Sequence, residues 1–278
     1  MKKAIKLFVL SLLIGSIFVA CNNNNEDNPS VNNDGKGEVK VKITDAPFPI
    51  DFVTQANVGV AKVELKNQNG EYVTVFEGSA DYNMVNLTNG ETETVADTDI
   101  QTGTYTEAKV TLEDASVHLS NGTVYDLTSD AQGTYSVAID PPLVVEDDED
   151  SDVLLDLDLN HSFEFTTTGL MYWITDIMNI TGCNFQADFR ACDLDQTGEI
   201  DGEVKTANDT AVEGALVTVT VDGDTVSTLT EADGKFTFLG IKEGDYTVHV
   251  STESNAEVSV DNVHVTAQNS TEVTATIN

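Results

Sequence analysis

Apolar and polar residues alternate along most of the chain beyond its N-terminal segment. Val39, Val41 and Ile43 share one side of the pattern, with a lysine between each pair, and the alternation returns at Val58 and Val60. Successive side chains of a strand point to opposite faces, so a period of two predicts strands with one buried and one solvated face. The chain therefore begins its folded part as a series of half-buried β-strands.

Asn-Gly dipeptides separate several of the predicted strands, at Asn69-Gly70, Asn89-Gly90 and Asn121-Gly122. This dipeptide tolerates the positive φ angles of tight hairpin turns. The clearest predicted hairpin runs from Val117 to Leu127. After residue 21 only a short stretch near residues 170–180 shows an apolar period of 3.6, so the predicted class is all-β. Short strands with frequent turns favour β-sandwiches.

An apolar run at residues 7–20 ends directly before Cys21. Lysines precede it, and its length matches a signal-peptide core of about 7 to 15 residues. The ending Phe18-Val19-Ala20-Cys21 resembles a bacterial lipobox, although leucine is commoner than phenylalanine at position 18. The resemblance implies that residues 1–20 are a lipoprotein signal peptide and that Cys21 carries lipid, palmitate included. Ordinary secretion is the alternative.

Residues 21–37 are polar and rich in asparagine, so they can bury too little apolar surface to fold. We expect them to form a disordered tether between the lipid and the first domain. Asn22 stands where some bacteria use aspartate to retain lipoproteins in the inner membrane. The lipoprotein resemblance therefore favours anchoring in the outer membrane, on its periplasmic or its cell-surface face.

Residues 38–182 resemble the lipoprotein domain family named domain of unknown function 4382. Three pieces carry the resemblance: Thr44-Asp45-Ala46-Pro47, Gly103-Thr104-Tyr105 and Leu155-Asp156-Leu157-Asp158. The resemblance implies a location and a β-sandwich fold, and it brings no biochemical activity.

Residues 198–278 resemble the carboxypeptidase regulatory-like, or transthyretin-like, small β-sandwich. Asp233-Gly234 predicts a turn, Phe236 and Phe238 are expected to point into the core, and Gly244 begins the next strand before Tyr246. The resemblance implies a non-catalytic spacer or binding unit, since such modules do not carry the peptidase chemistry of their name.

The composition excludes nucleic acid as a partner. The chain has 13 lysines and arginines against 48 aspartates and glutamates, a formal charge of −35. Phosphate binding needs basic residues on the contact face. We also find no HExxH, GxSxG or CxxC motif, and the four histidines are scattered. The sequence therefore predicts no catalytic centre.

The segment 183–197 is predicted as a linker and contains Cys183 and Cys192. An even pair of cysteines in an exported protein favours a disulfide closing a short loop. A reactive thiol is the alternative.

An acidic run from residue 146 to residue 152 precedes two further aspartates on one strand face. Calcium takes six to eight oxygen ligands, so such a cluster could hold one ion. The candidate ligands are Asp147, Asp148, Asp150, Asp152, Asp156 and Asp158. A solvated acidic loop with no cofactor is the alternative.

These observations together predict a non-enzymatic lipoprotein at the outer membrane. Its first expected role is binding or adhesion to a glycan or a partner surface protein, with Trp173 able to stack on a sugar ring or to lie in the core. A structural or fimbrial-type subunit or spacer is the alternative. A carbohydrate-active enzyme is the third.

Overall fold

A computed structural model of the chain describes residues 35–46, 52–167 and 180–278, and these residues lie in one compact unit. Strands account for most of them, so the predicted all-β class is confirmed. Two separate apolar cores divide the unit into an N-terminal and a C-terminal domain.

The described residues of the N-terminal domain form eleven strands and two four-residue helices. The strands are β1 (Lys36–Ala46), β2 (Val53–Asn67), β3 (Tyr72–Asn83), β4 (Glu93–Gln101), β5 (Gly103–Leu119), β6 (Val124–Asp126), β7 (Gly133–Val145), β8 (Asp150–Asp158), β9 (Phe163–Thr167), β10 (Ile180–Phe185) and β11 (Phe189–Asp193). The helices are α1 (Thr128–Ala131) and α2 (Leu159–Ser162), and a 3₁₀ turn covers Met84–Asn86.

The C-terminal domain follows a second 3₁₀ turn at Leu194–Gln196. Its strands are β12 (Thr197–Thr206), β13 (Leu216–Val221), β14 (Asp224–Leu229), β15 (Lys235–Lys242), β16 (Gly244–Ser251), β17 (Glu257–Val265) and β18 (Ser270–Ile277).

One nine-stranded sheet organises the N-terminal domain, in the order β3-β2-β5-β7-β11-β8-β1-β4, with β6 paired to β5. The alternation in β1 leaves Val39, Val41 and Ile43 completely buried, as its period predicts. Residues from β1, β2, β5, β7 and β8 share one core, so the sheet folds round a single apolar interior. β9 and β10 form a separate pair, whose Phe163 and Phe185 rings pack against this core 4.7 Å apart.

The C-terminal domain is a sandwich of two sheets, β15-β12-β18 and β14-β13-β16-β17. Phe236 and Phe238 are buried between them, with ring centroids 5.8 Å apart, which confirms their predicted inward direction. The first and last strands of the domain, β12 and β18, pair in parallel. The domain therefore closes its three-stranded sheet with its own ends.

Two of the predicted Asn-Gly turns join paired strands. Gly70 lies between β2 and β3, Gly122 lies between β5 and β6, and both glycines have positive φ angles. The third turn, Asn89-Gly90, also has positive φ angles, but it follows the first 3₁₀ turn and contacts the C-terminal domain.

Residues 183–197 contain strands where the sequence predicts a linker. β11 pairs antiparallel with β8 along its whole length and forms a parallel bridge from Ala191 to Ile139 of β7. A short apolar segment is stabilised here because the sheet offers it hydrogen-bonding partners on both sides. The N-terminal domain therefore extends through this segment.

Candidate functional site

The residue predicted to carry the lipid, Cys21, lies outside the described residues, as does Trp173. Lipid anchoring and sugar stacking by these residues stay predictions. Within the described ranges, no helix combines the length and the apolar character that crossing a bilayer requires.

The two predicted disulfide partners are free thiols in the structure. Cys183 lies on β10 in the N-terminal core, whereas Cys192 lies on β11 against Gly240 of the C-terminal domain. Burial raises the pKa of the Cys183 thiol to about 12 and that of Cys192 to about 11. No disulfide joins the two thiols in the structure, because β10 and β11 place them in different environments.

The aspartates predicted to hold calcium do not gather round one point. They follow a turn and then one strand, in the order Asp147, Asp148, Asp150, Asp152, Asp156 and Asp158. At about 3.3 Å per residue, the two ends of β8 are about 26 Å apart. Calcium ligands lie within about 2.6 Å of the ion, so one ion cannot contact all six.

Four of these aspartates have partners on other elements. The nitrogen–oxygen pairs are Lys40–Asp150 at 3.7 Å, Lys42–Asp152 at 2.6 Å, Arg190–Asp156 at 2.8 Å and His161–Asp158 at 2.8 Å. The hydrogen bond that Asp158 accepts from the His161 ring raises the pKa of His161. The sequence pattern missed these pairs because three of them depend on the order of strands in the sheet.

A different carboxylate group forms on the outer face of the N-terminal sheet. Ligand oxygens of Asp81, Glu113 and Asp114 lie within 4.8 Å of one another. Gly59 of β2 stands between the strands that carry them, and a Cβ there would lie 2.6 Å from an Asp114 oxygen. Burial raises the pKa of Asp114, and Asp81 and Glu113 raise it further. All three side chains remain at least partly exposed to solvent.

Arg190 connects the two domains. Its Nε and Nη2 atoms donate to Asp156 Oδ2 at 3.2 and 2.8 Å, because β11 and β8 place the two residues opposite each other. Nη1 donates to the Gly240 carbonyl at 2.6 Å, and Nη2 donates to the Leu239 carbonyl at 3.1 Å. One side chain thus pairs a buried carboxylate of the first domain with backbone oxygens of the second.

Asp45, from the Thr44-Asp45-Ala46-Pro47 piece, lies beside this ion pair and is buried. Its Oδ1 accepts a hydrogen bond from the Leu159 N–H at 3.2 Å, at the start of α2. Burial raises the pKa of Asp45 well above its usual range, and the nearby charges of Asp156 and Asp158 raise it further. The two family-typical acidic pieces therefore meet in space, because β1 and β8 pair in parallel.

Two further contacts cross from one domain to the other. Asn89 Oδ1 accepts a hydrogen bond from the Thr237 N–H at 2.7 Å. Lys242 lies between Asp140 of the first domain and Asp222 of the second. The domains are therefore joined by polar contacts at several points as well as by the chain.

Two concave regions lie along this junction. The first is a cavity of about 20 Å³, lined by Asp45, Asp156 and Arg190 from the first domain and by Thr228 from the second. The second is a groove of about 240 Å³, lined by residues of both domains, and it is mostly apolar. Its lining residues are Val53, Val85, Thr88, Asn89, Leu229, Thr230 and Glu231.

The histidines with side-chain partners lie at separate places. His161 contacts Asp158, His249 contacts Ser259 at 2.8 Å, and His264 contacts Asp245 at 2.9 Å. A hydrolytic triad needs a nucleophile, a base and a third group that orients the base. These exposed pairs each supply at most two of those groups.

Two family models match the chain. Residues 36–172 match the family described as domain of unknown function (DUF4382), and residues 199–278 match the carboxypeptidase regulatory-like domain. The predicted identities and order of the two domains are confirmed. β11 lies between the matched ranges although it belongs to the N-terminal sheet. No curated protein matches the chain.

Solved structures resemble the chain only weakly. A cohesin–X-dockerin complex of Acetivibrio cellulolyticus is 23% identical over 29% of this chain and 56% of its own, with a TM-score of 0.23. The major pilin subunit BcpA of Bacillus cereus is 11% identical over 87% of this chain and 70% of its own, with a TM-score of 0.23.

The C-terminal fragment of the pilus adhesin SpaC of Lactobacillus rhamnosus GG is 10% identical over 87% of this chain and 97% of its own, also with a TM-score of 0.23. The chain spans 56% of the cohesin–dockerin chain and 34% of the Bacillus anthracis TIE protein, another structure it resembles. Scores of this size carry no argument about the function of this chain.

Proposed function

We propose that this chain, a DUF4382 domain joined to a carboxypeptidase regulatory-like domain, is a lipid-anchored outer-membrane protein that binds a glycan or a partner protein without catalysis. Cys21 would carry the lipid, and residues 22–37 would tether the domains to it. Several acyl chains on one cysteine hold a protein at a membrane far more durably than a single chain does.

The junction groove is the observation that carries the binding role. Its volume of about 240 Å³ lies below the range of about 300 to 1,000 Å³ that small-molecule pockets occupy. A groove of this size suits one edge of a larger ligand, such as a sugar chain or a protein segment. Its valine and leucine side chains provide contact area, and its polar side chains, with the charge of Glu231, provide orientation.

The contacts across the junction support this role. Asn89 lines the groove and also accepts the hydrogen bond from the Thr237 N–H, so this wall residue is held against the C-terminal domain. A groove whose walls are already positioned costs less conformational entropy when a ligand binds. The proposed ligand would meet a preformed surface contributed by both domains.

A pair of matched variants tests the groove. Glu231 lies in the groove wall, whereas Glu253 is an exposed residue of the same domain outside the groove. We expect Glu231→Arg to lower affinity for the ligand at least tenfold and Glu253→Arg to leave it unchanged. Glycan-array binding and pull-down from outer-membrane extracts, each with the Cys21→Ala chain, would identify the ligand class first.

Two outcomes would count against the proposal. Equal binding by both variants would contradict the assignment of the groove, and the absence of any glycan or envelope-protein ligand would contradict the binding role. The anchor is tested separately: Cys21→Ala should move the protein from the membrane fraction to the soluble fraction. Continued membrane association of that variant would contradict lipid anchoring.

A further inference from the structure

Three buried side-chain oxygens without a hydrogen-bond partner occur among the described residues. They are Asp45 Oδ2, Asp156 Oδ1 and Thr228 Oγ1. All three residues line the 20 Å³ junction cavity, and each is less than one-tenth exposed. Buried polar atoms in native proteins nearly always have a partner, so three in one place indicate an occupant.

Two carboxyl groups and one cation line the cavity. Asp45 and Asp156 each bring a carboxyl group, and Arg190 brings one guanidinium. The guanidinium contacts Asp156 Oδ2 and two backbone carbonyls, whereas the hydrogen bond to Asp45 comes from the Leu159 N–H. The Asp45 carboxyl group is therefore buried without a cationic partner, so its ionised form is costly unless a cation joins it.

The cavity volume limits the occupant to a very small species. A single water needs roughly 10 to 15 Å³ measured in the same way, so about 20 Å³ admits one water or one ion and no organic molecule. A water would satisfy the hydrogen bonds and leave Asp45 in its neutral form. A cation would satisfy the same oxygens and stabilise the ionised carboxylate.

We propose that the junction cavity binds one oxygen-preferring metal cation, of the class of calcium, through Asp45, Asp156 and Thr228. Carboxylate and hydroxyl oxygens are the ligands that such hard cations prefer. Two ligands belong to the first domain and one to the second. The ion would therefore bind the domains to each other.

Calcium titration of the full chain carrying Cys21→Ala tests this site. After removal of metal with a chelator, we expect calorimetry to show one calcium per chain at the junction and the melting temperature to rise with the logarithm of calcium concentration. Asp45→Asn and Thr228→Val should each abolish most of that rise. Asp81→Asn, in the exposed carboxylate group, is the matched control and should leave it intact.

The metal-free state gives a second readout. Asp45→Asn keeps the shape of the side chain and removes the carboxylate that would bind the ion, so in chelator it should melt at or above the temperature of the unsubstituted chain, and in calcium it should melt below it. If Asp45→Asn does not fold, the calcium dependence of the Thr228→Val melting temperature tests the site by itself. Two results would overturn the proposal and mean that the cavity holds water only. One is a melting temperature that does not change with calcium concentration, and the other is a calcium-dependent rise that remains in both junction variants.

Discussion

The two domains close their sheets in different ways. The C-terminal domain pairs its first strand with its last, so its sandwich is complete within residues 197–278. The N-terminal domain instead needs β11, which lies after the end of its family match at residue 172 and stands between β7 and β8. A boundary drawn from family resemblance can therefore leave out a strand on which the domain depends.

Fragments give the largest expected effect. Residues 197–278 should fold alone, whereas residues 35–187, which keep β10 and lack β11, should not, because removing β11 exposes two strand edges and leaves Asp156 without Arg190. Residues 35–196 should regain cooperative unfolding. Circular dichroism during thermal unfolding checks this, and a cooperative transition in the 35–187 fragment would contradict it.

Arg190 supplies the next largest effect. Arg190→Met leaves the buried Asp156 carboxylate unpaired and should cost about 3 to 5 kcal/mol in the free energy of unfolding. Lys205→Met removes the surface ion pair with Asp209 and is the control, with a much smaller expected change. Urea denaturation measures both, and similar losses would show that Arg190 has no special role.

Gly240 separates the contribution of junction packing from backbone strain. Its φ angle is +65°, and a Cβ there would lie 2.6 Å from Cys192 Sγ. Gly214 also has a positive φ angle, +70°, with no atom within 4 Å of an added Cβ. Both Ala variants should lower the free energy of unfolding by about 1 kcal/mol through backbone strain, and Gly240→Ala should lower it further. Equal decreases in the two variants would mean that the junction rearranges around the added Cβ at little cost.

The thiols give the smallest effect. With the pKa of Cys183 near 12 and that of Cys192 near 11, neither should react with a thiol reagent at pH 8 until the protein unfolds. Their raised folded-state pKa means that the associated stability is complete below the unfolded pKa of about 8.5 and is lost as the pH rises towards 11 and 12.

Mass spectrometry of the Cys21→Ala chain without reductant complements the reactivity assay. Two free thiols are expected, which would agree with the structure. A mass lower by two hydrogens would instead establish the disulfide that the cysteine spacing predicts.

Local sequence features predicted much of the fold. Alternation in β1, the Asn121-Gly122 turn and the inward Phe236 all follow from chemistry within a few residues, and the structure contains each of them. β11 escaped prediction because its short segment has a weak pattern of its own. Its stability comes from β7 and β8, which the local sequence does not show.

The candidate site was predictable only in its parts. Asp45 and Asp156 are visible as family-typical residues, yet the acidic run near residue 150 was the stronger local signal for a cation. Counting carboxylates along the chain cannot tell which of them are buried together. That depends on which strands are neighbours.

The sequence by itself determined most of the strands, several turns, the two domains and the acidic surface, because period, turn chemistry and charge are local properties of the chain. The tertiary structure alone decided that Asp45, Asp156 and Thr228 share one cavity. The reason is that β1 and β8, which are about 110 residues apart in the sequence, pair with each other and place Asp45 beside Asp156. Packing between the domains then adds Thr228 to the same cavity.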